Sequence, residues 1–360
     1  MTEPPVSTPP PTLAHLSRIT DDRGIVEHAL FARPRVDATY CTDDAGRLLA
    51  LSSRLAQDRY SMRLALSALS FLERAHRGEA TFLLRHDARG TWDSDVSDDA
   101  TGRALLGLAT AAAFAPWPDV RSRSLALFDQ AASFRSGHLR AAAYAALGAA
   151  TLLREEPDHE SARALLDDAP DFVTANAGES WPWPEARLSY ANALLPLAAL
   201  ALAEVRDDAT SATHALGILE WLARTEILDD HFSFTPVAGR GLRDERPQFD
   251  QQPIEAWAMT EACAFAYQYT RDAKWHHLAR LAGSWFLGNN DVGVLVYDPA
   301  TGGGYDGLAP DGVNLNQGAE STLSFVATMR ELRVLETSPR LDGSNDAAGP
   351  YATSRRASSR

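Results

Sequence analysis

From about residue 12 to residue 335 the apolar residues recur at helical spacing, and no stretch alternates apolar and polar positions for long enough to build a sheet. Two kinds of segment take turns along this body. Six are rich in Ala, Leu and Gly and almost wholly apolar, opening near Asp43, Asp98, Gly137, Arg187, Gln252 and Gln317 at a mean spacing of about 55 residues. Between them lie segments apolar on one stripe only, at 59–77, 119–135, 160–169, 209–227 and 273–287, with another before the first at 21–32. A helix apolar all round must be buried, and a helix with one apolar stripe must face a partner.

An inner ring of six helices wrapped by an outer six, the (α/α)6 toroid, meets both conditions. A two-layer superhelical solenoid would meet them too, but the small residues of the inner set suit close convergence about a closed axis. The predicted class is therefore all-α. In a toroid the inner helices share one direction, so their N-terminal ends gather on one face, fed by the two longest connections, 229–251 and 288–316. Within the second, 294–308 (VLVYDPATGGGYDGL) predicts a short β-hairpin over that face, carrying Tyr297 and Tyr305. The first 11 residues hold five prolines and 338–360 hold little apolar surface, which predicts disordered tails around a single domain at 12–337.

Composition narrows the function classes. At 45% hydrophobic and 23% charged, the 360 residues can bury a large core, which excludes collagen-like, disordered and disulfide-framework chains. Two distant cysteines, Cys41 and Cys263, exclude a zinc knuckle and read as buried thiols. A net charge of −14 repels phosphate backbones and anionic lipid, so neither nucleic acid nor membrane is an expected partner. The start has no basic or apolar leader, which predicts a cytoplasmic protein. GxSxG, HExxH and CxxC are absent, and neither cofactor nor metal is expected.

The candidate chemistry sits at the inner-helix openings. Asp43-Asp44-Ala45-Gly46-Arg47 and Asp98-Asp99-Ala100-Thr101-Gly102-Arg103 repeat a DD(x)xGR opening 55 residues apart. The aspartates read either as helix caps or as free carboxylates toward the axis, and Arg47 and Arg103 as partners that offset them. Glu185, Glu255 and Glu320 open further inner helices, with Asn316 as the expected cap of the last. Trp181 and Trp183, fixed among prolines, are expected to stack on sugar rings, joined by Tyr190, Trp257 and Tyr305; Trp221, Trp275 and Trp285 read as core. Asn192, Gln252, Asn316 and Gln317 supply hydroxyl-reading amides.

These segments resemble the six-hairpin glycosidase superfamily, and more narrowly a bacterial glycosyltransferase-associated group whose pattern runs GYCTDDNARAL, EDSxGRALWALG, LTYDNARLP and NQGAEST. The matching residues are Thr39 to Arg47, Asp98 to Leu108, Leu188 to Ala193 and Asn316 to Thr322. The chain departs from the pattern at Ala45 and Gly46, at Leu106 in place of the tryptophan, and at Ala191 in place of the acid. The resemblance implies action on a mannose- or glucose-type oligosaccharide, with a glycosyltransferase as companion.

The first reading is an inverting glycoside hydrolase, which needs one protonated and one ionised carboxyl about 6.5–9.5 Å apart. The expected pair is Asp99 with Glu320, with Asp44 and Glu255 as substitutes; one carboxyl of the pair is expected to have a raised pKa from crowding by Asp44 and Glu255. Substrate contacts are expected from Asp43, Arg47, Asp98, Arg103, Trp181, Trp183, Glu185, Tyr190, Asn192, Gln252, Trp257, Tyr305, Asn316 and Gln317. The alternatives are a sugar epimerase or isomerase on the same barrel, which would lean on inward histidines, and a non-catalytic sugar-binding module.

Overall fold

A computed structural model describes residues 8–337 except 36, 38, 56, 175–179 and 247. The expected tails at 1–7 and 338–360 lie outside the described residues. Thr8 to Pro11, expected in the first tail, instead lie on the body: Thr8 is buried and its hydroxyl donates to Glu336 at 2.5 Å.

Twelve helices are described. The inner set is α2 (Thr42–Ser53), α4 (Asp98–Phe114), α6 (Leu139–Glu155), α8 (Leu194–Arg206), α10 (Pro253–Thr270) and α12 (Ala319–Thr337). The outer set is α3 (Arg59–Ala75), α5 (Pro118–Ala131), α7 (Glu160–Asp167), α9 (Ala209–Glu226) and α11 (Ala273–Ser284), preceded by the short α1 (Ala14–Arg18). Each inner helix packs on the next, and α12 packs back on α2, so the ring is closed rather than a solenoid. Strands are limited to pairs of two or three residues at the loops. Among the described residues no helix is long and apolar enough to cross a membrane.

Glycines set the ring's tightness. A Cβ on Gly46 would lie 2.5 Å from the Arg103 carbonyl oxygen, one on Gly107 2.4 Å from that of Gly46, and one on Gly102 2.3 Å from that of Ala141. Backbone thus meets backbone where α2, α4 and α6 cross, a separation that only Gly permits.

Two predicted helix positions are corrected. Segment 21–32 is not a helix but two antiparallel pairs, Thr20–Asp21 with Gly24–Ile25 and Ala29–Leu30 with Arg33–Pro34. Asp21 accepts from the Arg23 amide at 2.8 Å, and Gly24 at φ 144° completes a turn no helix tolerates. The outer place beside α12 is taken by α1. The fourth inner helix starts at Leu194, not near Arg187, because Arg187–Leu188 pairs with Arg240–Gly241 and Ala191 turns the chain at φ 45°.

The last long loop is also rearranged. Segment 294–308 is not one hairpin: Tyr297 bridges Gly304, while the regular hairpin joins Gly307–Ala309 to Gly312–Asn314. Tyr297 stacks on Phe325 at 4.4 Å, in the wall rather than over the mouth. Asp306 in this loop accepts from the Gly318 amide at 2.7 Å and the Ser321 hydroxyl at 2.5 Å, thereby holding the start of α12.

Candidate active site at the mouth of the ring

The first turns of α2, α4, α6 and α12 meet, which places the inner N-termini on one face. The sixth residues of α2, α4 and α6 form one rung: Arg47, Arg103 and Tyr144. All three line a central cavity that runs down the axis between the six inner helices, with about 760 Å³ of free space including its open mouth. The Arg103 guanidinium lies 4.1 Å from the Tyr144 ring centre, a cation–π contact with little solvent to weaken it.

Asp43, Asp44 and Asp99 act as partners of these arginines and not as caps. Ser97 caps α4, accepting from the Ala100 amide at 3.3 Å, and Cys41 precedes α2 with no side-chain cap. Aligned on the arginine, Asp99 corresponds to Asp43, each four residues upstream of its guanidinium. Asp99 accepts from Arg103 Nε at 2.8 Å and from the Tyr190 hydroxyl. Arg47 binds three carboxylates: Asp44 at 2.5 Å, Asp43 at 3.4 Å and Glu320 at 2.5 Å. Asp98 points away, exposed and bonded to the Ser136 hydroxyl at 2.6 Å, and is no part of the site.

Burial and charge divide the carboxyls. Burial pushes Asp99 up, but Arg103 and the Tyr190 hydrogen bond outweigh it and hold the group below its ordinary value. Asp43 is lowered too, burial being overcome by Arg47 and Arg103. Asp44 is pushed up to about 7 by burial, with the Asp43 charge adding to it. Glu255 is pushed up to about 8 by burial and the Glu226 charge, not by the crowd at the rim. Side-chain exposure is 41% for Glu320, 30% for Asp99 and 3% for Asp44, and Glu255 is buried. Asp44 and Glu255 therefore drop out as substitutes, since a substrate cannot touch them.

Glu255 has a different task. It accepts from the amides of Ala191 and Asn192, the latter at 3.1 Å, and from Asn192 Nδ2 at 3.2 Å. A carboxylate on α10 thus fixes the turn before α8, which carries Tyr190 to Asp99. Arg140 braces the same turn, binding Glu185 at 2.5 Å, Asn192 Oδ1 at 3.1 Å and the Tyr190 carbonyl. Glu185 and Asn192 are thereby occupied in structure.

Other expected ligand contacts are corrected. Trp181 and Trp183 are buried, packed on Trp221 at 5.3 and 6.0 Å between ring centres, with Trp181 Nε1 donating to the Glu185 carbonyl; neither faces a ligand. Gln317 is buried, donating to Asp298 at 3.2 Å and accepting from Thr301 at 2.7 Å, so it pins the glycine-rich loop. Asn316 accepts from the Phe31 amide at 3.0 Å instead of capping α12. Tyr305 is half-buried against the core, and Gln252 precedes α10 without a side-chain cap. Trp257 does line the cavity.

Tyr144 and Arg140 are site residues that the sequence reading missed. Aligning the α6 opening GHLRAAAY with DDATGR would have exposed Tyr144 at the Arg103 place. Cys41, Asp43 and Asp44 bring ligand atoms within 4.8 Å of one another. Burial pushes the Cys41 thiol well up, and it donates to Asp44 at 3.0 Å.

No family model matches the sequence, and no curated protein matches it. Solved structures do share its architecture. A sugar epimerase from a ruminal bacterium superposes with a TM-score of 0.66 at 12% identity, covering 88% of this chain and 94% of that one. The cellobiose 2-epimerase from Bacillus thermoamylovorans gives 0.65 at 12% identity, over 87% and 95%. A cellulase of C. cellulolyticium solved with cellobiose gives 0.58 at 8% identity, over 87% of each chain. The chain has the (α/α)6 barrel fold. In this (α/α)6 barrel the acidic face described above is the N-terminal mouth of the inner ring.

Proposed function

We propose that the protein is a carbohydrate-active enzyme, an inverting glycoside hydrolase working at the N-terminal mouth on a mannose- or glucose-type oligosaccharide. One observation carries this reading: Asp99 and Glu320 are the most solvent-reachable of the carboxyls bonded to the Arg47 and Arg103 guanidiniums, ahead of the less exposed Asp43 and the buried Asp44. Asp99, held ionised by Arg103 and Tyr190, takes the place of the base that activates water. Glu320, projecting from the first turn of α12, takes the place of the acid that protonates the leaving oxygen once substrate displaces its ion pair with Arg47.

The epimerase reading has its own support in the architecture shared with the two epimerases. The test is to incubate gluco- and manno-oligosaccharides with the protein in deuterated buffer and follow them by NMR. Hydrolysis gives new reducing ends without deuterium at carbon. Epimerisation through proton abstraction gives the C2 epimer carrying deuterium. In the hydrolase reading Asp99→Asn and Glu320→Gln each lower turnover by about 100-fold or more. Full activity in both variants refutes the pair, and binding without turnover in the parent leaves the sugar-binding companion of a glycosyltransferase.

A further inference from the structure

Below the arginine rung the cavity changes character. From Arg103 to Thr110 on α4 it descends seven residues, about 10 Å at 1.5 Å per residue. Between these levels the wall is made by residues such as Leu106, Leu147, Leu194, Leu197 and Ile254, and the Trp257 indole is the one polar group the described lining offers there. At the bottom the apolar wall gives way to charged groups, where Arg54 binds Glu261 at 3.3 Å and Arg330 donates to the Arg54 carbonyl at 3.1 Å. A sugar ring lowered into this shaft would strand its hydroxyls without partners. Water is held no better, because an apolar cavity gives it too few hydrogen bonds. At the top, by contrast, Arg103 uses only Nε on Asp99, and its two Nη groups donate to no described residue although the side chain is nine-tenths buried. Free donors at the mouth above an apolar shaft suit a ligand with a polar head and an apolar tail.

We propose that the shaft is an apolar subsite for an alkyl or aryl substituent, so that the ligand is an amphiphilic glycoside with its sugar at the carboxylate mouth. This rests on the carbohydrate reading for the head and on the shaft alone for the tail. Leu106 decides it: tryptophan at this place, as in the motif the segment resembles, would fill the axis, whereas leucine leaves it open.

The test is isothermal titration of the full chain with methyl, butyl, hexyl and octyl glycosides of glucose and mannose below their micelle concentrations, and with octan-1-ol. Full burial of a methylene is worth about fourfold in affinity. The expected result is a rise of about 20-fold or more from methyl to hexyl, levelling off where the chain meets the charged Arg54–Glu261 pair. Leu106→Trp cancels the dependence on chain length while the melting temperature stays within a few degrees. If that variant does not fold, Ala50→Leu, which narrows the same shaft from α2, replaces it. Equal affinities along the series, or a dependence that survives the filled shaft, overturn the subsite and leave the carbohydrate reading standing. Octan-1-ol binding that the filled shaft abolishes, with no glycoside bound, keeps the subsite and overturns the carbohydrate reading.

Discussion

Replacing Gly102 by alanine tests whether backbone contact sets the geometry of the ring. The new Cβ would lie 2.3 Å from the Ala141 carbonyl oxygen and 3.0 Å from its carbon, with no flexible side chain to move aside. Ordinary contact at 3.4 Å requires α4 and α6 to part by about 1.1 Å. Overpacking of this kind costs about 1–3 kcal/mol, against about 1 kcal/mol gained from alanine's helix propensity. Because the 2.3 Å contact is with backbone that cannot swing aside, the cost lies toward the upper end of that range, and the net expectation is a loss of up to about 2 kcal/mol. Gly217, also within a helix (α9), has nothing within 4 Å of its Cβ position, so Gly217→Ala keeps the propensity gain and is more stable than the parent by up to about 1 kcal/mol. Urea unfolding of the two variants therefore gives shifts of opposite sign. The same parting moves Tyr144 relative to Arg103, and a displacement near 1 Å at a reacting site costs on the order of 100-fold in turnover. A Gly102→Ala protein as stable as the parent refutes the contact argument.

Stability is expected to fall as pH rises from about 4.5 to about 8 and to level off above that. Asp44 and Glu226, each pushed up to about 7, and Glu255, at about 8, bind protons in the folded chain that the unfolded chain has released; a melting temperature that climbs across this window contradicts the assignment. Tyr190→Phe removes a hydrogen bond that favours ionised Asp99, so the acid limb of the pH–rate profile moves to higher pH, and an unmoved limb excludes Asp99 as the base. Trp183→Ala leaves a large hole beside Trp221 and lowers unfolding free energy by about 3–5 kcal/mol, while saccharide affinity, measured by titration on the folded protein, is unchanged.

The inner ring was legible because its signal is local: five starts fall within two residues of their openings, where small apolar runs follow polar residues. The α8 start was not, because the turn before it is held by the Glu255 carboxylate more than 60 residues away. The hairpins at 20–34 carried a readable Asp-Asp-Arg-Gly turn that the surrounding apolar spacing overrode. At the mouth the DD(x)xGR repeat picked out Arg47, Arg103 and Asp99, which the structure brings together, whereas burial separates Asp44 and Glu255 from Asp99 and Glu320, and burial is set by packing from other helices. The Trp-Pro-Trp-Pro segment reads as exposed only if Trp221 on α9 is left out of account.

Closure of α12 on α2 has a consequence in time. Arg47 is made 273 residues before Glu320, an interval of about 15–55 s at cellular synthesis rates of about 5–20 residues per second. Throughout it the α2 guanidinium has only Asp43 and Asp44 for company and one wall of the shaft is missing. The first three hairpins are made early, yet Glu320 and the α12 wall of the cavity are missing until the last helix arrives, so the closed mouth forms only in a final docking step.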